Sequence, residues 1–243
     1  MNLIVDIGNS SVKLAVFEKE TLTFLHRIKV NDLEHSILET LNRFPKIEQI
    51  FVASVAAFDS SHFSKIFSSY KLLFLNSKSK FPFKNLYQTP ETLGPDRMAL
   101  VAAAVCKYPN QNVLVIDAGT CITYDFIDAK SNYYGGAISP GIQMRYKALY
   151  ENTDRLPLLE PIIPFNFIGN STQSAIHSGV VFGVVNEIEG FVSSYKSKYS
   201  DLTVILSGGD ANFLCKQFKI SIFAFSNFLL EGLNFLLEYN SNK

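Results

Sequence analysis

Several absences narrow the reading first. Only three cysteines are present, Cys106, Cys121 and Cys215, far apart and without CxxC or Cys/His metal spacing. That pattern excludes a disulfide framework and a zinc site, and leaves three free thiols in a reducing compartment. The four histidines (His26, His35, His62, His177) are equally scattered, and ordinary surface or core roles suit them better than catalysis. Neither charge is in excess: 22 basic residues balance 22 acidic ones. No dedicated nucleic-acid or anionic-membrane surface is expected, so partners should be small molecules or other protein chains. Long apolar runs are missing too. The longest, Met98 to Cys106, falls well short of the ~20 residues that span a membrane. The opening MNLIVDIGNSS carries an acid at Asp6 and no basic stretch, so it does not read as a signal peptide. The expectation is a soluble, cytoplasmic protein. GxxxxGK[ST] and a strand-to-helix GxGxxG are both absent, which excludes a Walker loop and a Rossmann fingerprint.

What is present is apolar material: 47% of 243 residues, enough for a substantial core in one large domain or two modest ones at about 150 residues each. Leu3–Val5 reads as a buried strand, broken by Asp6-Ile7-Gly8-Asn9 and followed by an alternating strand, Val12 to Phe17: a β-hairpin with a polar loop. A third strand (21–30), a helix with apolar positions 33, 37, 41 and 44, a strand (50–55), a helix (60–70) and a strand (72–75) come next. A polar, Pro-punctuated segment, 76–94, reads as a loop or lid. Gly94-Pro95-Asp96-Arg97 then opens an alanine-rich helix, with proline in the first turn where its missing N–H costs nothing. Residues 109–112 form a turn and the best boundary, giving domains of 1–111 and 112–243.

After that turn the opening returns. IVDIGNSSVKLAVF and VIDAGTCITYDFI share strand, Asp-x-Gly loop and strand, with Asp6 and Asp117 lying 111 residues apart. One supersecondary unit is used twice, which suggests two αβ halves facing each other. Beyond it, Gly135 to Gly141 leads into a helix (142–150), a long helix runs from 172 to about 198, and a strand (204–206) enters Ser207-Gly208-Gly209-Asp210. A last helix is expected over 229–239.

The chemistry is set by the loops. An aspartate ending a buried strand lies at a sheet edge. Gly8 lets the backbone approach a ligand, and Asn9, Ser10, Ser11 and the successive N–H groups offer donors to phosphate oxygens. Lys13 adds a cation, and Asp6 would hold Mg²⁺ through water, since magnesium dehydrates reluctantly. A plain hairpin turn explains one such loop equally well; two copies and the third glycine loop at 207–210 favour phosphates clamped between two domains, the third loop lying under the ribose. Asp96 is the candidate to accept a hydroxyl proton, because phosphoryl transfer needs such a carboxylate. At a helix start the dipole keeps it ionised, so it would orient the hydroxyl and take the proton late. Arg97 offers a forked donor. Simple helix capping remains the alternative for Asp96.

Taken in order, DIGNSSVK, NLYQTPETLGPDR, DAGTCITYD, GGAISPG, NSTQSAIHSG and LSGGDA resemble the type III pantothenate kinases, of the acetate and sugar kinase, Hsc70 and actin superfamily. The likeness spans Asp6 to about Ala211. It implies two RNase H-like, actin-like α/β domains, each a mixed sheet flanked by helices, and ATP-dependent phosphorylation of pantothenate. By position it implies a first ATP loop of Asp6, Ile7, Gly8, Asn9, Ser10, Ser11, Val12 and Lys13, and a second nucleotide contact at Thr120. Tyr87, Gly94, Pro95, Asp96 and Arg97 would line the pantothenate pocket, with Asp96 the proton acceptor. Asp117 would bind K⁺ or NH₄⁺, and Thr172 would reach pantothenate across a homodimer interface. Two positions depart from the family pattern: Ser10 replaces the usual Thr but keeps its hydroxyl, and Cys121 replaces a small residue such as Ala. Two other readings stand beside this one: a kinase or phosphatase of the same superfamily with another substrate, and an actin-like ATP-binding regulatory protein without catalysis.

Overall fold

A computed structural model of the chain describes residues 1–9, 11–55, 59–76 and 78–241. The first strand, β1 (Asn2–Ile7), is buried along its whole length and pairs antiparallel with β2 (Val12–Glu18), Asp6 opposite Lys13. Strand β3 (Thr21–Ile28) continues the antiparallel run from β2; β4 (Gln49–Ser54) lies parallel to β1, and β5 (Lys71–Phe74) parallel to β4. The sheet order is β3-β2-β1-β4-β5.

Alternation along β1 sorts its two faces, because successive side chains point to opposite sides of a sheet. Leu3, Val5 and Ile7 join one core with Leu33, Ile37 and Leu41 of α1 (Leu33–Arg43) and Phe63 of α2 (Ser60–Ile66). The 33/37/41 spacing is the apolar stripe of an amphipathic helix. Asp59 caps α2, accepting from the backbone N–H groups of Ser61 and His62 at 3.0 and 3.1 Å. Ile4, Ala15, Phe17 and Ala53 face the other core, with Ala99 and Ala102 of α3 (Pro95–Lys107) and Leu230, Leu233, Leu236 and Leu237 of the C-terminal helix (Phe228–Ser241). The small residues of α3 permit close approach: a Cβ on Gly232 would collide with the Ala99 carbonyl. Strand β6 (Lys84–Asn85), inside the segment expected to be a loop or lid, pairs in parallel with Asn132 and Tyr133.

These elements form one unit: Met1–Pro109, Ser131–Tyr133 and Asn227–Lys243. The other comprises Asn110–Lys130 and Tyr134–Ser226. The second unit begins at Asn110, and the last helix clusters with the first.

In the second unit β7 (Val113–Ala118) pairs antiparallel with β8 (Cys121–Ile127), Asp117 opposite Thr123. Strand β9 (Asn132–Pro140) flanks β8, β10 (Thr203–Ser207) runs parallel to β7, and β11 (Phe223–Ala224) parallel to β10. The order β9-β8-β7-β10-β11 repeats that of the first sheet, so the 111-residue repeat of sequence is also a repeat of topology. Leu114, Ile116, Tyr124, Phe126 and Leu206 pack with α4 (Ile142–Glu151) and with Val180, Val184 and Ile188 of α5 (Thr172–Lys198). The short helix α6 (Ala211–Leu214) comes after β10. By length and composition α5 is apolar enough to cross a membrane, but its apolar stripe is packed on this sheet.

Candidate active site

The first Asp-x-Gly loop is a hairpin end. The backbone N–H of Gly8 donates to the Ser11 carbonyl at 3.1 Å, closing a turn whose Asn9 is exposed. Ser10, one of the two positions that depart from the family pattern, lies outside the described residues. Asp6 is buried and shares the sheet face of Ile4, and the Lys13 ammonium sits 3.0 Å from its Oδ2. That face is the one covered by α3, with Ala53, the β4 register partner of Asp6, in the same cluster as Ala99. Asp96 lies less than one turn before Ala99. Asp6 and the helix that carries the candidate proton acceptor therefore share one face of one sheet.

At the start of α3, Gly94 is the N-cap and Pro95 opens the helix. The Asp96 carboxylate folds back: its Oδ1 accepts from the Arg97 N–H at 2.8 Å and occupies the space where a Cβ on residue 94 would stand. Glycine at 94 thus leaves that space to the Asp96 carboxylate, while its own φ of −59° is open to any residue. Arg97 is buried, 5% exposed, and its guanidinium lies 5.5 Å from the centroid of the Tyr87 ring. Tyr87 in turn stacks on the fully buried Tyr133 at 6.3 Å. The structure thus joins Tyr87, Gly94, Asp96 and Arg97, separated by the 88–93 stretch in sequence, into one cluster, and adds Tyr133, which the sequence did not single out.

In the second unit three glycine-bearing segments meet. Gly141 donates its N–H to the Thr120 carbonyl at 3.1 Å, and a Cβ there would collide with the Gly119 carbonyl. Gly208, at φ +98°, packs on the Ala118 backbone, and the Asp210 N–H donates to the Ala118 carbonyl at 2.9 Å. Burial pushes the Asp210 carboxyl above its ordinary range. Asp117 is half-buried on the sheet face opposite α5, and Thr120 is exposed at the turn. Asp125 is fully buried in mid-strand. Thr172 is exposed in the first turn of α5, behind a Ser171–Ser174 capping box.

A further polar cluster had no sequence signal. Glu187 Oε1 accepts from the Tyr124 hydroxyl at 2.8 Å and from the Ser139 hydroxyl at 2.5 Å, while Oε2 meets the Arg145 guanidinium at 2.5 Å. Burial alone would raise the Glu187 carboxyl, but the bonds from Ser139, Arg145 and Tyr124 and the charge of Arg145 hold it below its ordinary value.

With this geometry in place, comparison with known proteins is direct. Residues 2–194 match the sequence model of the family described as type III pantothenate kinase. A type III pantothenate kinase from Flavobacterium johnsoniae is 49% identical over 239 residues, covering 98% of each chain. The chain belongs to the type III pantothenate kinases. Among solved structures, a conserved Baf-family protein of Campylobacter jejuni shares the fold at a TM-score of 0.66 and 24% identity, covering 99% of this chain and 100% of that one. A glucokinase from an Antarctic psychrotroph does so at 0.53 and 13%, covering 98% of each. The two mixed sheets of this pantothenate kinase family member are thus the actin-like fold of the sugar kinases.

Proposed function

We propose that the chain transfers the γ-phosphoryl group of ATP to the primary hydroxyl of pantothenate, giving 4'-phosphopantothenate, the first step of coenzyme A biosynthesis. One observation carries the reading: Asp96 is held over Gly94, beside the buried Arg97 and the half-buried Tyr87 ring it lies against. Such a carboxylate orients the acceptor hydroxyl and takes its proton late, while Arg97 and Tyr87, with Gly94 and Pro95, shape the pantothenate pocket. The loop of Asp6, Ile7, Gly8, Asn9, Ser10, Ser11, Val12 and Lys13 would take the phosphates, with Thr120 a second contact.

Among the described residues no three His, Cys, Asp or Glu side chains converge on one point. This suits Mg²⁺ held by few carboxylates, water and substrate phosphates rather than by a protein cage. Asp6 would hold it through water, its Oδ2 being already paired with Lys13; on nucleotide entry Lys13 is placed to exchange that partner for a phosphate oxygen. Asp117, beside the 118–120 turn, would hold K⁺ or NH₄⁺. Bound there, these cations offset the charge of the β- and γ-phosphates.

A homodimer belongs to the same reading, with Thr172 completing the partner's pantothenate site. Just before Thr172, Phe165, Phe167 and Ile168 are 98%, 75% and 71% exposed, an apolar strip of the kind that marks an interface. A cytoplasmic location accords with this chemistry. The test is ATP consumption with and without pantothenate, at varied K⁺. Pantothenate-dependent ADP release that K⁺ stimulates is expected. Its absence from a folded, ATP-binding sample would sink the reading in favour of a regulatory protein.

A further inference from the structure

We infer that Glu187, together with Arg145 and Ser139, is a positioning centre for the second Asp-x-Gly loop, Asp117 to Thr120, and so governs ATP and monovalent-cation affinity without touching either. This rests on the reading that the 117–120 loop serves the nucleotide and the cation.

The connection can be traced bond by bond within the second unit. Glu187 projects from the middle of α5 and gathers three donors from three different elements: Tyr124 of β8, Ser139 at the end of β9 and Arg145 of α4. Arg145 also donates through Nε to the Pro140 carbonyl at 2.9 Å and lies 3.5 Å from the Ser139 hydroxyl. The Ser139-Pro140-Gly141 elbow is thereby held from one side by a half-buried ion pair. Its other side is the loop itself: Gly141 donates to the Thr120 carbonyl and has no room for a Cβ against Gly119 and Thr120.

The loop has little slack to absorb a shift of that elbow. Its far flank is fixed by Gly208 and by the Asp210 N–H on the Ala118 carbonyl. Any displacement of 139–141 must move residues 119 and 120 or break their contact with Gly141. Tyr124 adds a second route, since it stands two residues beyond Ile122, the β8 register partner of Ala118. A carboxylate suits the centre because it accepts several hydrogen bonds at once and neutralises Arg145; a glutamine retains the shape but loses the charge and presents a donor to donors.

The experiment compares Glu187→Gln, Ser139→Ala and Asp117→Ala with the wild-type enzyme, reading the KM for ATP, the K⁺ activation constant, the KM for pantothenate and thermal stability. Outer partners of a site typically change affinity by about tenfold or more. Glu187→Gln is expected to raise the KM for ATP and the K⁺ constant about tenfold, with the pantothenate KM within about twofold. Ser139→Ala removes one neutral donor and no charge, so it should fold and shift the same two constants in the same direction by less. If both variants lose only thermal stability, or lose turnover with ATP and K⁺ constants unchanged, the centre is merely structural and the inference fails. If Asp117→Ala leaves the ATP and K⁺ constants unchanged, it is the reading of the loop that fails. Shifts in Asp117→Ala without shifts in the other two overturn the positioning role alone.

Discussion

At the scale of single residues, Gly94 and Asp96 separate chemistry from stability. Asp96→Asn keeps size and most hydrogen bonding but cannot accept the hydroxyl proton. Turnover should fall by about 10²–10⁴-fold, the usual contribution of such a group, while ATP still binds in a calorimetric titration; near-normal turnover would refute the assignment. Gly94→Ala makes the complementary test. Its Cβ would displace only the end of the Asp96 side chain, not backbone. The melting temperature should therefore hardly move while turnover falls, and parallel loss of both would argue against a positioned carboxylate. The two Asp-x-Gly loops were legible in the sequence because each is local: strand, turn and strand lie consecutively, from Asn2 to Glu18 and from Val113 to Ile127. Glu187 was not, since its partners lie 42 to 63 residues away and a glutamate on a long helix reads as solvent-facing.

Among the elements, helices were the more readable. The 33/37/41 stripe of α1 and the length of α5 survive intact in the structure, and Pro95 marks the true start of α3. Strand β9 escaped because Gly135 and Gly136 dilute its alternation. The structure supplies the reason: a Cβ on Gly136 would collide with the Tyr124 carbonyl, so this strand needs a bare backbone against β8. The packing of α5 and α4 on that sheet also makes a pH prediction. Glu187 has its folded-state carboxyl held below the unfolded reference of 4.5, so its ionised form stabilises the fold. That contribution is present above about pH 4.5 and is lost as pH falls through the lowered folded-state value. Acid melting curves should show the wild type losing stability more steeply than Glu187→Gln in that range; equally steep curves would contradict the linkage.

For the whole molecule, the proposed homodimer concerns the exposed apolar strip before α5. Changing both Phe165 and Phe167 to Asp should convert a dimer to monomers in light scattering, with little effect on the monomer fold, because both rings are largely in solvent. A double variant that stays dimeric would place the interface elsewhere. Neither the strip's role nor Thr172's could be read from periodicity, since a lone chain's exposed phenylalanines resemble any loop. The final helix raises a different question, that of timing. Its Leu230, Leu233, Leu236 and Leu237 complete the core beneath α3, yet they follow the whole second unit in the chain and leave the ribosome after it. Domains usually fold in the order they emerge. Here the first unit stays unfinished until Asn227 and the residues after it have emerged, when the second is already whole. A chain that has reached only Ser226 therefore lacks the leucines that pack against α3, though every residue from Gly94 to Arg97 has been made.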